Sequence, residues 1–146
     1  MTLANLRINI DRLSARIEEL AEIGAIAGGG VCRMALTDED RQGRDLVVKW
    51  MHELGLEVTV DQIGNVIGIR AGQESGRPVM TGSHIDTVAS GGRYDGNLGV
   101  LAGLEVIATL NDAEIMTRKP LGVGFFTNEE GSRFAPDMMG SGVHQG

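Results

Sequence analysis

The chain has 146 residues, enough to bury one sizeable hydrophobic core, so a single domain is its simplest organisation. Its 13 basic and 20 acidic residues give a formal net charge of -7, which argues against nucleic acid or an anionic membrane as the main partner. A single cysteine, Cys32, excludes an intramolecular disulfide. Because the N-terminus is not signal-like and no apolar run is long enough to span a bilayer, we expect a cytoplasmic protein.

The first predicted element is an amphipathic helix over residues 5–26. Apolar residues recur at helical spacing on one side of it, and charged residues occupy the other. The glycines at 28–30 are expected to end this helix, and residues 29–36 are predicted to form a loop. Cys32 lies in that loop with no activating group near it in sequence, which indicates a packed or idle thiol rather than a nucleophile.

A second helix is predicted to begin at Thr37. This threonine and the acidic residues 38–40 have the pattern of a capping box. An apolar stripe follows, and Gly55 is expected to end the helix. His52 falls on the polar side of the stripe, so it is predicted to be a solvated surface histidine.

Four strands and a third helix are predicted in the rest of the chain. Residues 56–60 and 65–70 alternate between apolar and polar, which is typical of two paired strands joined by a tight turn. The short apolar run at 79–81 is predicted to be the central strand, and 120–127 to be a strand covered on both faces. Between them, 97–110 has helical periodicity. The predicted fold class is therefore α/β, with a mixed sheet flanked by helices.

The third helix and the final segment lead to more detailed expectations. Gly99 and Gly103 lie one helical turn apart and should let the helix approach the sheet closely. Glu105 and Thr109 are expected to face solvent. Residues 132–146 are predicted to form a loop without a terminal helix.

Polar side chains follow two of the predicted strands. His84 and Asp86 come after the predicted central strand, and Asp95 lies beyond them on a glycine-rich loop. Glu129 and Glu130 come after the last strand. Because the carboxyl ends of parallel strands gather in one crevice, these groups are expected to meet. Imidazole and carboxylate groups are the ligands that zinc and similar divalent cations take, so the pattern predicts a metal site.

Each group also has a plainer interpretation. The His-x-Asp pair could be a strand-end histidine beside a surface aspartate, the Asp-Gly pair could be a turn, and the two glutamates could be solvated. The occurrence of all three groups together favours a metal site. Two ions about 3.5–4 Å apart would share one carboxylate. That one could be Asp95, with His84 on one ion and Glu130 on the other.

This ligand set is incomplete, because each of two ions would lack further ligands. The remaining histidines, His52 and His144, are not well placed in the sequence to supply them. The final segment, 138–146, has no capping feature. We therefore expect residues 1–146 to be the N-terminal portion of a larger catalytic domain.

Three motifs resemble those of the M20 metallopeptidase-like amidohydrolases. The motifs are Gly82-Ser-His-Ile-Asp-Thr-Val, Gly91-Gly-Arg-Tyr-Asp-Gly-Asn-Leu-Gly-Val and Phe126-Thr-Asn-Glu-Glu-Gly-Ser-Arg-Phe. They are most similar to the branch that holds N-carbamoyl-L-amino-acid hydrolases, allantoate amidohydrolases and β-ureidopropionases. The resemblance runs from about Leu6 to Gly146. It is specific for the branch but does not choose among its substrates.

The resemblance implies a role for each site residue. His84 would bind one metal and Asp86 would orient it, while Asp95 would bridge both metals and Glu130 would bind the second. Glu129 would be the general base for attack of metal-activated water on a ureido carbonyl, and would return the proton to the leaving nitrogen. The two ions would be zinc, or manganese, cobalt or nickel. No residue is assigned to any other cofactor.

The resemblance also implies a small-molecule ureido substrate and, for the full-length protein, a homodimer. Family members have a smaller dimerisation domain that is absent from this sequence, and part of their metal and substrate sites lies in sequence that this chain lacks. The 146 residues alone are therefore expected to be inactive. Two alternatives stay open. One is an aminopeptidase or dipeptidase of the same superfamily. The other is a non-catalytic fragment with at most weak metal binding, which would expose an apolar patch.

Overall fold

The periodic segments form four helices and six strands in a computed structural model, which describes residues 5–146. The helices are α1 (Ile10–Glu22), α2 (Asp38–Glu53), α3 (Asn97–Asp112) and α4 (Met139–Gln145). The strands are β1 (Ala25–Ile26), β2 (Gly30–Val31), β3 (Glu57–Val60), β4 (Val66–Arg70), β5 (Val79–Ser83) and β6 (Leu121–Phe125). None of the described helices combines the length and apolarity that a bilayer crossing requires.

Four strands form the main sheet in the order β3-β4-β6-β5. β3 and β4 are an antiparallel hairpin, β4 and β6 are antiparallel, and β5 runs parallel to β6. Residues 122–125 of β6 are buried, as its continuous apolar run predicted. The mixed sheet flanked by helices confirms the predicted fold class.

The predicted position of β5 is wrong, because this strand lies at the edge of the sheet. Its outer side has no neighbouring strand among the described residues, and Val79 is 58% exposed. An apolar run is compatible with a strand paired along one edge or along both, so the sequence could not distinguish an edge strand from a central strand. β5, α3 and β6 line an open apolar groove of about 420 Å³. This groove is the exposed patch that the fragment alternative predicts.

The first helix, α1, is shorter than predicted at both ends. Asn9 caps it by accepting a hydrogen bond from the Arg12 backbone N–H at 3.0 Å, so residues 5–8 lie outside the helix. At the other end, β1 pairs antiparallel with β2 instead of extending the helix or forming a loop. Gly24 makes the reversal with a φ of 86°, and a Cβ there would lie 2.4 Å from the Cys32 carbonyl oxygen.

The predicted cap of α2 at Thr37 is confirmed, but the return hydrogen bond of a capping box comes from Leu36 instead of Thr37. The Thr37 side chain accepts a hydrogen bond from the Asp40 backbone N–H at 3.2 Å, and the Asp40 carboxylate accepts one from Leu36 N–H at 2.8 Å. Gly55 follows the end of the helix with a φ of 79°, and His52 is exposed as predicted.

Glycines bring α3 close to the sheet, also as predicted. A Cβ at Gly103 would lie 2.8 Å from Cγ2 of Thr81, and a Cβ at Gly99 would lie 2.8 Å from Cβ of Ser83. The core between the helices and the sheet includes Leu20, Val47, Met51, Val100, Leu101, Leu104, Ile107, Val123 and Phe125. The helix that follows the glycine-rich loop is therefore held at a fixed, short distance from β5 and β6.

The predicted exposure of Glu105 and Thr109 is wrong, because both side chains are buried. α1 covers this face of α3, and the two Glu105 carboxylate oxygens accept hydrogen bonds from Nε and Nη2 of Arg12 at 2.7 and 2.8 Å. The Asn9 backbone N–H and the Thr109 hydroxyl also donate to Glu105, at 2.9 and 3.1 Å. Burial opposes ionisation, but these hydrogen bonds outweigh it and lower the pKa of Glu105.

The prediction of a terminal loop is also wrong, since residues 139–145 form α4. Gly140 anchors this short helix: its N–H donates to the Thr127 carbonyl at 2.8 Å, and its carbonyl accepts from Nδ2 of Asn65 at 2.8 Å. A Cβ at Gly140 would lie 2.2 Å from Oδ1 of Asn65, so a larger residue does not fit. The tertiary contact, rather than a local capping signal, holds the tail.

We expect Glu105→Gln to lower the free energy of unfolding by about 3 kcal/mol at neutral pH, since a buried ion pair loses one partner. The lowered pKa of Glu105 gives the sign of the pH dependence. Stabilisation by ionised Glu105 is present above the ordinary carboxyl pKa and disappears as pH falls through the lowered value. The difference between wild type and variant should therefore shrink in acid, as measured by denaturant unfolding.

The matched control is Glu53→Gln, which removes the exposed pair of Glu53 with Lys49 on α2. This change is expected to cost less than about 0.5 kcal/mol. Equal losses in the two variants would contradict a stabilising role for the Arg12–Glu105 pair.

Candidate metal centre

The candidate site lies at the carboxyl ends of the two parallel strands β5 and β6. Their register sets Ser83 beside Phe125, and the Phe126 N–H donates to the Ser83 carbonyl at 2.9 Å. The segments that follow the strands therefore leave the sheet side by side. This arrangement confirms the expectation that the two strand ends share one edge.

His84 is buried at the end of β5, and a hydrogen bond orients its ring. Nδ1 lies 2.9 Å from the backbone carbonyl oxygen of Asp86. A carbonyl oxygen can only accept, so Nδ1 is the donor and Nε2 is the ring nitrogen that can bind a metal ion. A Cβ at Gly96 would lie 2.5 Å from the ring, so only glycine leaves room for the imidazole. The orienting partner is thus the Asp86 carbonyl, while the Asp86 carboxylate is 3.7 Å from Nδ1.

The Asp86 carboxylate has a different task, which the sequence did not suggest. It is buried, and its two oxygens accept hydrogen bonds from the backbone N–H groups of Glu129 and Glu130, each at 3.2 Å. Asp86 therefore ties the segment after β5 to the segment after β6. No local pattern could have shown this contact, because its partners lie 43 and 44 residues away.

The ligand atoms of His84, Asp95 and Glu130 all lie within 4.8 Å of one another. Nε2 of His84 faces Oε2 of Glu129 at 3.3 Å and Oδ1 of Asp95 at 3.7 Å. A nitrogen lone pair that faces carboxylate oxygens is repelled unless a proton or a cation lies between them. One imidazole and several carboxylates are also a donor set for zinc or manganese, so the residues fit a divalent cation.

The charges of the cluster agree with this interpretation. Burial raises the pKa of the Glu130 carboxyl, and neighbouring carboxylates act in the same direction while the His84 ring opposes them. The Asp95 and Glu129 side chains are 76% and 35% exposed, so the cluster is open on one side. A cation would relieve the repulsion, and a substrate could reach it.

The backbone of the two glutamates is fixed on both sides. The Glu129 carbonyl accepts from Met138 N–H at 2.8 Å, opposite the N–H groups that Asp86 holds. Asn128, with a φ of 55°, donates from Nδ2 to the Phe134 carbonyl at 2.7 Å. Buried Asn65 accepts from Thr127 N–H at 3.0 Å just before this turn. Sequence analysis missed both asparagines, although Asn128 does directly precede the two glutamates.

Other residues considered from sequence lie outside the cluster. His144 on α4 is exposed, and its ring centroid is 5.4 Å from that of Phe126. His52 is on the surface of α2, and Cys32 is a half-buried free thiol. A surface cavity of about 720 Å³ is lined by the start of α2 together with Arg133 and contains none of the cluster residues. Donor chemistry, rather than cavity size, identifies the site.

Residues 65–142, more than half of the chain, match the family described as peptidase family M28. An N-carbamoyl-L-amino-acid amidohydrolase of Rhizobium meliloti is 48% identical over 143 residues, which is 97% of this chain and 34% of that protein. An allantoate amidohydrolase of Bacillus subtilis is 42% identical over 127 residues, 86% of this chain and 31% of that protein. The chain thus spans about a third of the length of these curated relatives.

Solved structures show the same similarity. A hydantoinase/carbamoylase family amidase from Burkholderia ambifaria is 53% identical with a TM-score of 0.93, covering 94% of this chain and 34% of that one. A tripeptidase from Staphylococcus aureus has a TM-score of 0.67 over 84% of this chain and 38% of that one. At 19% identity the tripeptidase shows a shared fold alone.

We expect Glu130→Gln to stabilise the metal-free protein at neutral pH. The raised pKa of Glu130 means that its ionised form is disfavoured in the folded chain, so stability falls as pH rises through that pKa. In EDTA at pH 7 the variant should melt at a higher temperature than wild type, by roughly 3 °C for each kcal/mol gained in the free energy of unfolding. This difference should vanish in acid. Zinc should raise the melting temperature of wild type more than that of the variant. A variant that melts below wild type in EDTA would contradict the assigned repulsion.

Proposed function

The chain belongs to peptidase family M28, and we propose that it contributes the metal-binding edge of an amidohydrolase acting on carbamoyl or ureido C–N bonds. The observation that carries the proposal is Nε2 of His84 facing the carboxylates of Asp95 and Glu129 at the end of two parallel strands. Relatives that match nearly the whole chain are named for hydrolysis of N-carbamoyl-L-amino acids or allantoate. The products would be ammonia, carbon dioxide and an amino acid or its analogue. The M20 assignment stays a prediction.

His84, Asp95 and Glu130 would hold the metal, with Asp95 as the carboxylate shared between two ions. We propose zinc, or manganese, cobalt or nickel. When bound, such ions polarise a ureido carbonyl and lower the pKa of water. The described donors are too few for two complete coordination shells. The missing ligands would come from sequence outside the third of the relatives' length that this chain spans.

Glu129 is the proposed general base. Its carboxylate lies beside the cluster, 3.3 Å from the His84 ring, yet it is not one of the three clustered donors. The Glu129 backbone N–H donates to the Asp86 carboxylate, which fixes the position of the Glu129 backbone. The Glu129 carboxylate itself is partly exposed. It can take a proton from water and deliver it to the leaving nitrogen. Asp86 acts by holding the backbone of the two glutamates and the ring of His84.

The partners proposed for the whole protein follow from the same comparison. A small ureido compound is the substrate class that the similar enzymes favour. Dimerisation through a separate domain stays a prediction, as does a cytoplasmic location.

Two observations favour a second possibility for the 146 residues taken alone. The apolar groove beside β5 is open, and the cluster offers one histidine only. Both features suit a folding unit that binds metal weakly and does not turn over substrate. The aminopeptidase or dipeptidase alternative has support from the match to a family described as peptidases and from the shared fold of the tripeptidase.

A hybrid enzyme distinguishes these functions. This chain would replace the matching residues of the Rhizobium meliloti relative, and ammonia release from N-carbamoyl-L-amino acids and from allantoate would be measured beside the 146-residue chain. We expect the hybrid to hydrolyse at least one of these substrates and the short chain to release no ammonia. A folded, metal-loaded hybrid that cleaves only peptides would contradict the proposal.

In the same hybrid, Glu129→Gln should abolish turnover and leave the metal content unchanged, because the side chain moves protons and does not hold the ions. General-base loss costs roughly 100- to 10,000-fold in rate. Asp95→Ala is the matched variant, and it should remove both metal and activity. Loss of metal from Glu129→Gln would reverse the roles assigned to the two glutamates.

A further inference from the structure

Arg33 is fully buried, 0% exposed, in the segment between β2 and α2. Its Nε donates to the Ile85 carbonyl at 2.9 Å, and Nη1 donates to the carbonyls of Leu20 and Ile23 at 2.9 and 2.7 Å. Nη2 donates to Oδ1 of Asn97 at 3.1 Å. All four acceptors are neutral oxygens.

Two of these acceptors belong to the segments that carry the candidate metal ligands. Ile85 is the residue between the buried histidine and its orienting aspartate. Asn97 begins α3 directly after the glycine-rich loop, its N–H donates to the Asp95 carbonyl at 2.7 Å, and its Nδ2 donates to the Arg93 carbonyl at 3.2 Å. One guanidinium therefore links the segment holding the imidazole to the segment holding Asp95.

The main chain and α2 fix the position of this arginine. The Arg33 N–H donates to Oγ1 of Thr87 at 2.8 Å, and the Thr87 N–H donates to the Arg33 carbonyl at 2.8 Å. A Cβ at Gly43 would lie 2.7 Å from Cδ of Arg33, so α2 leaves room for this side chain and no more. The guanidinium is thus held rigidly before any ion arrives.

Burying a cation without a carboxylate at bonding distance is costly, and a neutral side chain would fill a core at lower cost. Burial lowers the pKa of Arg33 to about 10, while Asp40 and Asp86 act against that shift, so the group is charged at neutral pH. The charge strengthens each hydrogen bond to a carbonyl. The carboxylates of Asp40 and Asp86 also favour a positive charge at this position.

We propose that Arg33 is a positioning residue of the metal centre, whose guanidinium sets the His84 segment and the Asp95 segment at a fixed distance from each other. As far as the metal is concerned, this inference rests on the proposed function. The positioning itself is a property of the metal-free chain. Replacing a residue that orients metal ligands through hydrogen bonds commonly lowers metal affinity, so a positioning role for Arg33 should be measurable as weaker metal binding.

The matched control for Arg33 is Arg70, at the other end of the sheet. Arg70 is also buried, and it donates to Oδ1 of Asn111 at 2.8 Å and to the Ile115 carbonyl at 2.7 Å. It pairs with Leu121 at the start of β6, away from the strand ends that carry the cluster. Arg33→Met and Arg33→Lys are therefore compared with Arg70→Met and Arg70→Lys in the 146-residue chain.

Two measurements follow for each variant, under conditions where each is folded. Zinc affinity is measured by titration calorimetry, and amide hydrogen exchange is measured in EDTA. We expect Arg33→Met to weaken zinc binding by roughly 10- to 100-fold and to speed exchange at 84–87 and 95–98. Arg33→Lys should recover part of both losses, because lysine keeps the positive charge. The recovery should be incomplete, because one ammonium group cannot reach both segments. The Arg70 variants should bind zinc as wild type does and exchange faster only near 111–115.

Unchanged exchange at both ligand segments in Arg33→Met would overturn the proposal, as would equal weakening of zinc binding by the Arg70 variants. If wild type binds no zinc, the metal part of the proposed function fails, and the exchange data alone decide the positioning role. If Arg33→Met does not fold, Asn97→Ala replaces it. That variant should speed amide exchange at 93–97 and leave exchange around Ile85 unchanged. Exchange at 93–97 as slow as in wild type would overturn the inference.

Discussion

The parallel pairing of β5 with β6 is the constraint on which the candidate site depends. Because both strands run in one direction, their register brings the His84 segment and the two glutamates to the same edge of the sheet. The loop between β5 and α3 holds Asp95 at that edge, because Gly99 and Gly103 let the start of the helix lie against the strands. A register shift of one residue would turn every side chain of β5 to the opposite face and dismantle the cluster.

The site gathers more negative charge than its surroundings favour, and the structure balances it in two ways. Asp86 uses both carboxylate oxygens for backbone N–H groups, so it holds the glutamates rather than offering itself as a ligand. Arg33 supplies a buried positive charge that interacts favourably with the Asp86 carboxylate. The remaining repulsion, of Glu130 by the carboxylates of Asp95 and Glu129, is the part that a cation would relieve. Carboxylates that repel one another lower the stability of the folded chain, which is expected at a metal-binding site and not in a hydrophobic core.

Features with a local cause could be predicted from the sequence, and features with a distant partner could not. The helix cap at Thr37 and the burial of β6 depend on neighbouring residues, and the cluster followed from strand ends that point the same way. Glu105 looked solvent-facing because its partner, Arg12, lies 93 residues away. The edge position of β5 and the helix at 139–145 depend on sheet order and on Asn65. Arg33 had one sequence signal, a lone cation within the otherwise apolar segment 31–36.

The most direct test of the metal centre is diffraction from crystals of this chain grown with zinc, with data collected at the zinc absorption edge. The account predicts anomalous density at the cluster, about 2.0–2.2 Å from Nε2 of His84 and a carboxylate oxygen of Asp95 for one ion, and at the same distance from Asp95 and Glu130 for a second. Crystals with no peak at that position, or with zinc bound only at His52 or His144, would contradict it.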